Sequence, residues 1–240
     1  MGSFTVAAIQ AAYVLMDREA TLERVAALTA EAAANGARLV VFPEAFVPGD
    51  PIWKDAGIIW DGDEAWYSML VDQSIVVPSE ATDRLGAIAR DHGVTMVVGI
   101  DVWVAPTLAL GDAWVATMRH IAREGRLYVI GVNPCLRVDL LPKDFPDRDK
   151  VWHVDPDDED HEWVSPGNSV IVGPTGKLLA GPSRHEETIL YAEVDPSAVR
   201  AARRYFDPTG HYNRPDVFRL NVDTRPRPAV AQVSGGLDAD

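Results

Sequence analysis

One unit recurs along the chain: an alanine-rich helical pattern, a glycine, then a short β-branched, apolar run. It appears as residues 19–34, Asn35 and Gly36, then 38–42. It returns as 79–92, Gly93 and 94–98, and again as 112–124, Gly125 and 127–130. A glycine at that point supplies the left-handed residue that closes a helix. The apolar run after it reads as a strand buried on both faces. Ser79 with Thr82 and Asp83, and Asp112, carry N-cap chemistry at the starts of the second and third helices. Strands alternating with helices in this way predict an α/β sheet protein.

Further strands are predicted at 4–9 and 188–194, and a hairpin at 169–172 and 177–179 around the tight turn 173–176. A short helix is predicted at 197–205. Residues 138–166 read as a long acidic, proline-containing loop. Residues 221–240 have linker composition and read as a frayed tail, leaving 1–220 as a single domain.

One segment breaks the pattern. Residues 94–106, VTMVVGIDVWVAP, are almost continuously apolar. A strand is typically about 5–6 residues long. The run therefore reads as two strands with only Gly99, Ile100 and Asp101 between them. A parallel neighbour in the same sheet needs a crossover of a dozen or more residues.

Composition narrows the function classes. With 240 residues, 47% hydrophobic and 24% charged, the chain has the make-up of a globular domain and not of a disordered segment. The net charge of −14 lacks the basic footprint of a nucleic-acid binder and disfavours an anionic membrane surface. Nine acidic residues lie between Asp144 and Glu162, so much of the charge belongs to one loop. The single cysteine, Cys135, excludes an intrachain disulfide and fits a reducing compartment. Residues 1–10 show no signal-peptide pattern, and no apolar run reaches bilayer-spanning length. The expectation is a cytoplasmic protein with no nucleic-acid or membrane partner.

Residues 41–49, VFPEAFVPG, resemble the nitrilase branch of the carbon–nitrogen hydrolase superfamily. The resemblance continues in order through the strand ending at Gln10, APT at 105–107, DAW at 112–114, MRHIAREGR at 118–126 and VIGVN at 129–133. It closes with SPGNS at 165–169, GPTG at 173–176 and GHYNRPD at 210–216. It implies an α-β-β-α sandwich that assembles into homo-oligomers. The implied substrates are small-molecule nitriles or amides, hydrolysed without metal or organic cofactor. In that chemistry a glutamate is the general base, a lysine stabilises the tetrahedral intermediate, and a cysteine attacks the carbon. A nitrile passes through a thioimidate to carboxylic acid and ammonia.

Carried over residue by residue, the resemblance assigns the general-base position to Glu44. The family's lysine and cysteine contexts have no counterpart. The lysines are Lys54, Lys143, Lys150 and Lys177, none in a histidine-arginine-lysine setting, and no cysteine-tryptophan-glutamate occurs. Both elements belong between the two halves of the over-long apolar run. The simplest account is an internal deletion near residues 99–102 that removes central strands together with the lysine and the cysteine. Such a chain is expected to be a pseudoenzyme: a nitrilase by lineage, inactive, serving at most as a structural or interaction subunit of a nitrilase-like oligomer. Apolar sheet edges left exposed at the gap are expected to favour oligomerisation or aggregation.

Each candidate residue also has a plainer reading. Without the resemblance, Glu44 is equally a solvated turn carboxylate. Trp53 and Trp114 are substrate-pocket candidates or packing residues, as are Trp60, Trp66 and Tyr67. Cys135 has conceivable partners in His120, His153 and His161, but reads as a small residue at a strand end with no activating signature. The acidic run from His153 to Glu162 lacks the glycine and closing glutamate of a calcium loop and reads as a solvated face, so no metal site is expected. Arg119 and Glu124 read as helix-end contacts, and residues 211–216 as packing or interface.

Overall fold

The computed structural model describes residues 2–50, 52, 64–98, 104–106, 111–143, 145 and 162–204. The expectations for Trp53, Trp60, His153, His161 and the tail fall outside these residues.

The recurring unit forms as expected. Strand β1 (Phe4–Gln10) leads to helix α1 (Arg18–Ala34) and strand β2 (Ala37–Phe42). After helix α2 (Glu64–Gln73) come helix α3 (Glu80–Asp91) and strand β3 (Thr95–Val98). Strand β4 (Val104–Pro106), helix α4 (Gly111–Gly125) and strand β5 (Val129–Val132) form the next unit. Strands β6 (Cys135–Arg137), β7 (Trp163–Val172), β8 (Leu178–Arg184) and β9 (Thr188–Val194) and helix α5 (Pro196–Arg203) complete the described elements.

Helix starts follow local chemistry. Asp17 caps α1 by accepting from Ala20 N, and Asp195 caps α5 by accepting from Ser197 N. Ser79 and Thr82 form a reciprocal capping box on α3. Gly36 and Gly93 take the left-handed conformation after α1 and α3. The third unit departs from expectation: Gly125 is the last residue of α4, and the left-handed residue is Arg126, at φ 49°. A Cβ at Gly125 would lie 2.9 Å from a terminal methyl of the Leu127 side chain.

The strands form two sheets. The first has the order β3-β2-β1-β9, with β1 parallel to β2, β2 parallel to β3, and β9 antiparallel to β1. The second has the order β4-β5-β7-β6, with β8 also pairing β7. The 94–106 run is thus two strands that lie in different sheets.

Alternation sorts each strand's side chains into layers. Val6, Ala8 and Val41 of the first sheet pack face to face with Ile130, Val132 and Ile171 of the second. On the outer face of the first sheet, Ala7, Ile9, Val40 and Phe42 pack with Val25 and Ala32 of α1 and Ile88 of α3. On the outer face of the second, Val129, Val170 and Val172 pack with Met118 and Ala122 of α4. The result is a four-layer α-β-β-α sandwich.

The reading of 138–166 as loop is corrected at its end, where Trp163–Pro166 belong to β7. Pro166 and Gly167 look like a break in the sequence, yet the strand runs through them. Cys135, Leu136 and Arg137 of β6 pair with it antiparallel, and the register with β8 shifts between Gly167 and Ser169. A bulge absorbs the two residues that cannot sit in a regular ladder.

Candidate functional site

Glu44 lies two residues beyond β2, at the carboxyl end of the first sheet. It is exposed, while Pro43 before it and Phe46 after it are buried. Phe46 is fully buried against Phe42 (ring centroids 5.1 Å apart) and edge-on to Tyr13 (6.1 Å). Gly49 N donates to Ala45 O at 2.9 Å, and Met16 N donates to Pro48 O at 3.0 Å. Ala45 has φ 48°, an uncommon region for a residue with a Cβ. Buried aromatic anchors and a left-handed residue therefore hold a short turn that presents one carboxylate to solvent.

Cys135 sits elsewhere on the same rim. Its N–H donates to Ala11 O at 3.3 Å, just past the end of β1, and the residue is 1% exposed. Burial, reinforced by the Glu187 carboxylate, pushes the thiol up to about 12, against the opposing effect of the Glu186 backbone N–H. At pH 7 that leaves roughly one thiol in 10⁵ as the nucleophilic thiolate. The thiol borders a cavity of about 470 Å³ shared with Tyr13, Arg24, Trp163, His185 and Glu187; Glu44 is not among its lining residues.

That cavity is not legible from sequence, because its walls come from five separate segments. Glu187 Oε1 accepts from Ala12 N at 2.6 Å and from Arg24 Nη2 at 2.8 Å, tying the β8–β9 turn to β1 and α1. The Trp163 ring lies 5.5 Å from that of His185, and the Arg137 guanidinium lies 5.3 Å from its centroid. Gln10 forms a second linkage nearby. Its Nε2 donates to Glu186 O at 2.8 Å, and its Oε1 accepts from Ser169 N at 2.9 Å. Ser169 Oγ in turn accepts from Asn133 N at 3.0 Å. A polar residue closing an apolar strand was the available signal for Gln10.

The other sequence candidates disperse. Trp114 is half-buried on α4 beside Gly131 of β5, where a Cβ on Gly131 would lie 3.2 Å from the indole. It belongs to the outer helix layer with Met118. Trp66 packs on Phe145, with ring centroids 5.1 Å apart. His120 is exposed on α4. Lys177 is exposed in the β7–β8 turn, its carbonyl accepting from Gly173 N, and Lys143 is exposed beyond the 3-10 turn Val138–Leu140. Among the described residues no group of three His, Cys, Asp or Glu is placed to hold a metal. No described helix is long and apolar enough to cross a membrane.

The carbon-nitrogen hydrolase family profile matches residues 5–110 and 101–204. The chain belongs to the carbon–nitrogen hydrolase family. An aliphatic nitrilase of Sinorhizobium fredii is 30% identical over 314 aligned positions, covering 96% of this chain and 99% of the relative. The fold is also that of solved family structures. A carbon-nitrogen hydrolase of Helicobacter pylori matches with TM-score 0.54 at 19% identity, over 90% of this chain and 97% of its own. The NitFhit protein of C. elegans matches with TM-score 0.60 at 13% identity, over 95% and 69% respectively. Within the family the resemblance is to the nitrilase branch.

Proposed function

We propose that this chain is a nitrilase-branch protein that has lost nitrile hydrolysis, with Glu44 in the general-base position and neither the family's lysine context nor its cysteine context present in the sequence. Its remaining role is that of a structural or interaction subunit of a nitrilase-like homo-oligomer. The observation that carries this reading is Cys135. The chain has no other cysteine, and this one is buried on β6 with its thiol pushed up to about 12, in a cavity that Glu44 does not line.

Two further observations support an internal deletion. A chain of 240 residues cannot fill an alignment of 314 positions, so at least 74 of them face a gap here. The family profile matches in two pieces that meet at residues 101–110, beside the join inferred from the apolar run. Loss of a nucleophile together with its activating partner costs on the order of 10⁶ in kcat. A lone carboxylate acting on water has neither a covalent route nor an oxyanion site to offset that.

The test is ammonia release from an aliphatic and an aromatic nitrile by the purified chain. No release above background is expected, and an electrophilic nitrile probe should leave Cys135 unlabelled. Turnover that disappears in Glu44→Gln would refute the proposal, and the small-molecule nitrile or amide would then be a true substrate.

A further inference from the structure

The cavity beside Cys135 has the size and the walls of a small-molecule site. Its volume of about 470 Å³ falls within the roughly 300–1,000 Å³ typical of ligand pockets. Trp163 and His185, their ring planes 31° apart, form an aromatic wall. Val14 and Leu140, large apolar side chains that the fold leaves exposed, border the same space. The polar wall is held in place without a ligand. Glu187 Oε1 is fixed by Ala12 N and Arg24, Glu186 Oε1 accepts from Ser183 Oγ, and the Glu186 carbonyl accepts from Gln10 Nε2. Such preorganisation lowers the entropic cost of binding.

The charges around the cavity have a definite sign. Arg24 and Arg137 border it, as do Glu186 and Glu187. Arg24 is paired with Glu187, and Arg137 is paired twice over, with Asp139 and Glu162. Among the described residues, four carboxylates therefore stand against two guanidinium groups. The Cys135 thiol senses that surplus: after burial, the charge of Glu187 raises it most, and the charge of Glu186 adds to it. Both glutamates also keep hydrogen-bonding capacity. Among the described residues, the second carboxylate oxygen of each, Oε2, accepts no hydrogen bond.

We propose that this cavity binds a small aromatic cation that carries N–H donors, such as an arylamidinium or an arylalkylammonium ion. The ring lies against Trp163 and His185 and covers Val14 and Leu140, while the N–H groups donate to Oε2 of Glu186 and Glu187. Charge-assisted hydrogen bonds of this kind are stronger than neutral ones. The guanidinium groups, already paired with carboxylates, offer little net repulsion. An aromatic carboxylate of the same shape meets the surplus negative charge, and a neutral amide donates without the gain from charge. This binding does not depend on whether nitrile hydrolysis is retained.

The test uses the full chain near neutral pH, with benzamidinium as the probe and benzamide and benzoate as its neutral and anionic counterparts. Calorimetry is expected to show saturable one-to-one binding of benzamidinium, at least about tenfold tighter than benzamide, and no binding of benzoate. The indole N–H resonance of Trp163, assigned with Trp163→Phe, is expected to shift on addition of benzamidinium. The double variant Glu186→Gln, Glu187→Gln keeps an acceptor for Ala12 N and is expected to weaken binding at least about tenfold. Absence of saturable binding, or benzoate binding as tightly as benzamidinium, overturns the proposal. So does unchanged affinity in the double variant, which would place the cation elsewhere on a chain of net charge −14. An unmoved Trp163 resonance overturns it as well, and that readout on the parent chain stands even if the double variant does not fold.

Discussion

The side-chain amide of Gln10 occupies the space that a Cβ on Gly167 would need. An added carbon there would lie 2.4 Å from Nε2 and 2.6 Å from Oε1. Gly167 also has φ +98°, in the bulge where β7 shifts register, and Gln10 is fully buried and bonded on both ends of its amide. The contact joins β1 of the first sheet to β7 of the second and to the turn before β9.

Gly167→Ala is therefore expected to destabilise the chain by about 2–4 kcal/mol, combining overpacking with a left-handed backbone. Gln10→Ala alone should also destabilise, by about 2–3 kcal/mol, since Ser169 N–H loses its buried acceptor. In the double variant the clash is gone, so the two losses should sum to more than the measured total. Urea denaturation of the four proteins checks this. Strict additivity would show that the two residues do not share the space.

Cys135 sets an alkaline limit on stability. Its folded thiol is pushed up to about 12 from an unfolded value of 9.0. Between those pH values the folded state binds more protons than the unfolded state, so stability falls as pH rises, by up to ~1.4 kcal/mol per pH unit. Below the unfolded value this group adds no slope. Tyr13, raised by burial and by the Asp50 carboxylate, adds a separate loss at higher pH. Cys135→Ala should flatten the profile between pH 9 and 12 relative to the parent, as read by denaturant midpoints across that range.

The Glu187 carboxylate is the second-largest cause of the raised thiol value. Glu187→Gln retains a carbonyl oxygen for Ala12 N but removes the charge. The thiol should then titrate at lower pH than in the parent, measured from thiolate ultraviolet absorbance. A titration curve that does not move would mean that the Glu187 charge does not act on the thiol.

A capping prediction concerns α3. Ser79→Ala removes one half of the reciprocal box with Thr82 and should cost about 1 kcal/mol, visible as a lower midpoint in thermal or urea unfolding. An unchanged midpoint would mean that the helix start is held by packing alone.

Several elements were legible in advance because their cause is local. The helix–glycine–strand units appear with boundaries shifted by one or two residues, and β9 spans the expected 188–194. β6 and the first half of β7 were not legible. Three residues around Cys135 form a strand only because Trp163–Pro166 lie beside them. Pro166 and Gly167 stay in β7 through pairing with Cys135 and Arg184, and Gln10, far away in the chain, fills the space beside Gly167. The position of Glu44 was readable from its motif, whereas the cavity beside Cys135 was not, since Ala12, Arg24, Trp163 and Glu187 are brought together by the fold.

The amino-acid sequence by itself determined the alternation of helix and strand, the family, the position of Glu44, and the anomaly at 94–106, because periodicity, capping chemistry and short motifs act over a few residues. The tertiary structure alone decided that this anomalous run divides between two sheets and that Cys135 is buried. Those outcomes depend on which distant strands hydrogen-bond to one another and on how much solvent the packed layers exclude, and neither is encoded in any local stretch of chain.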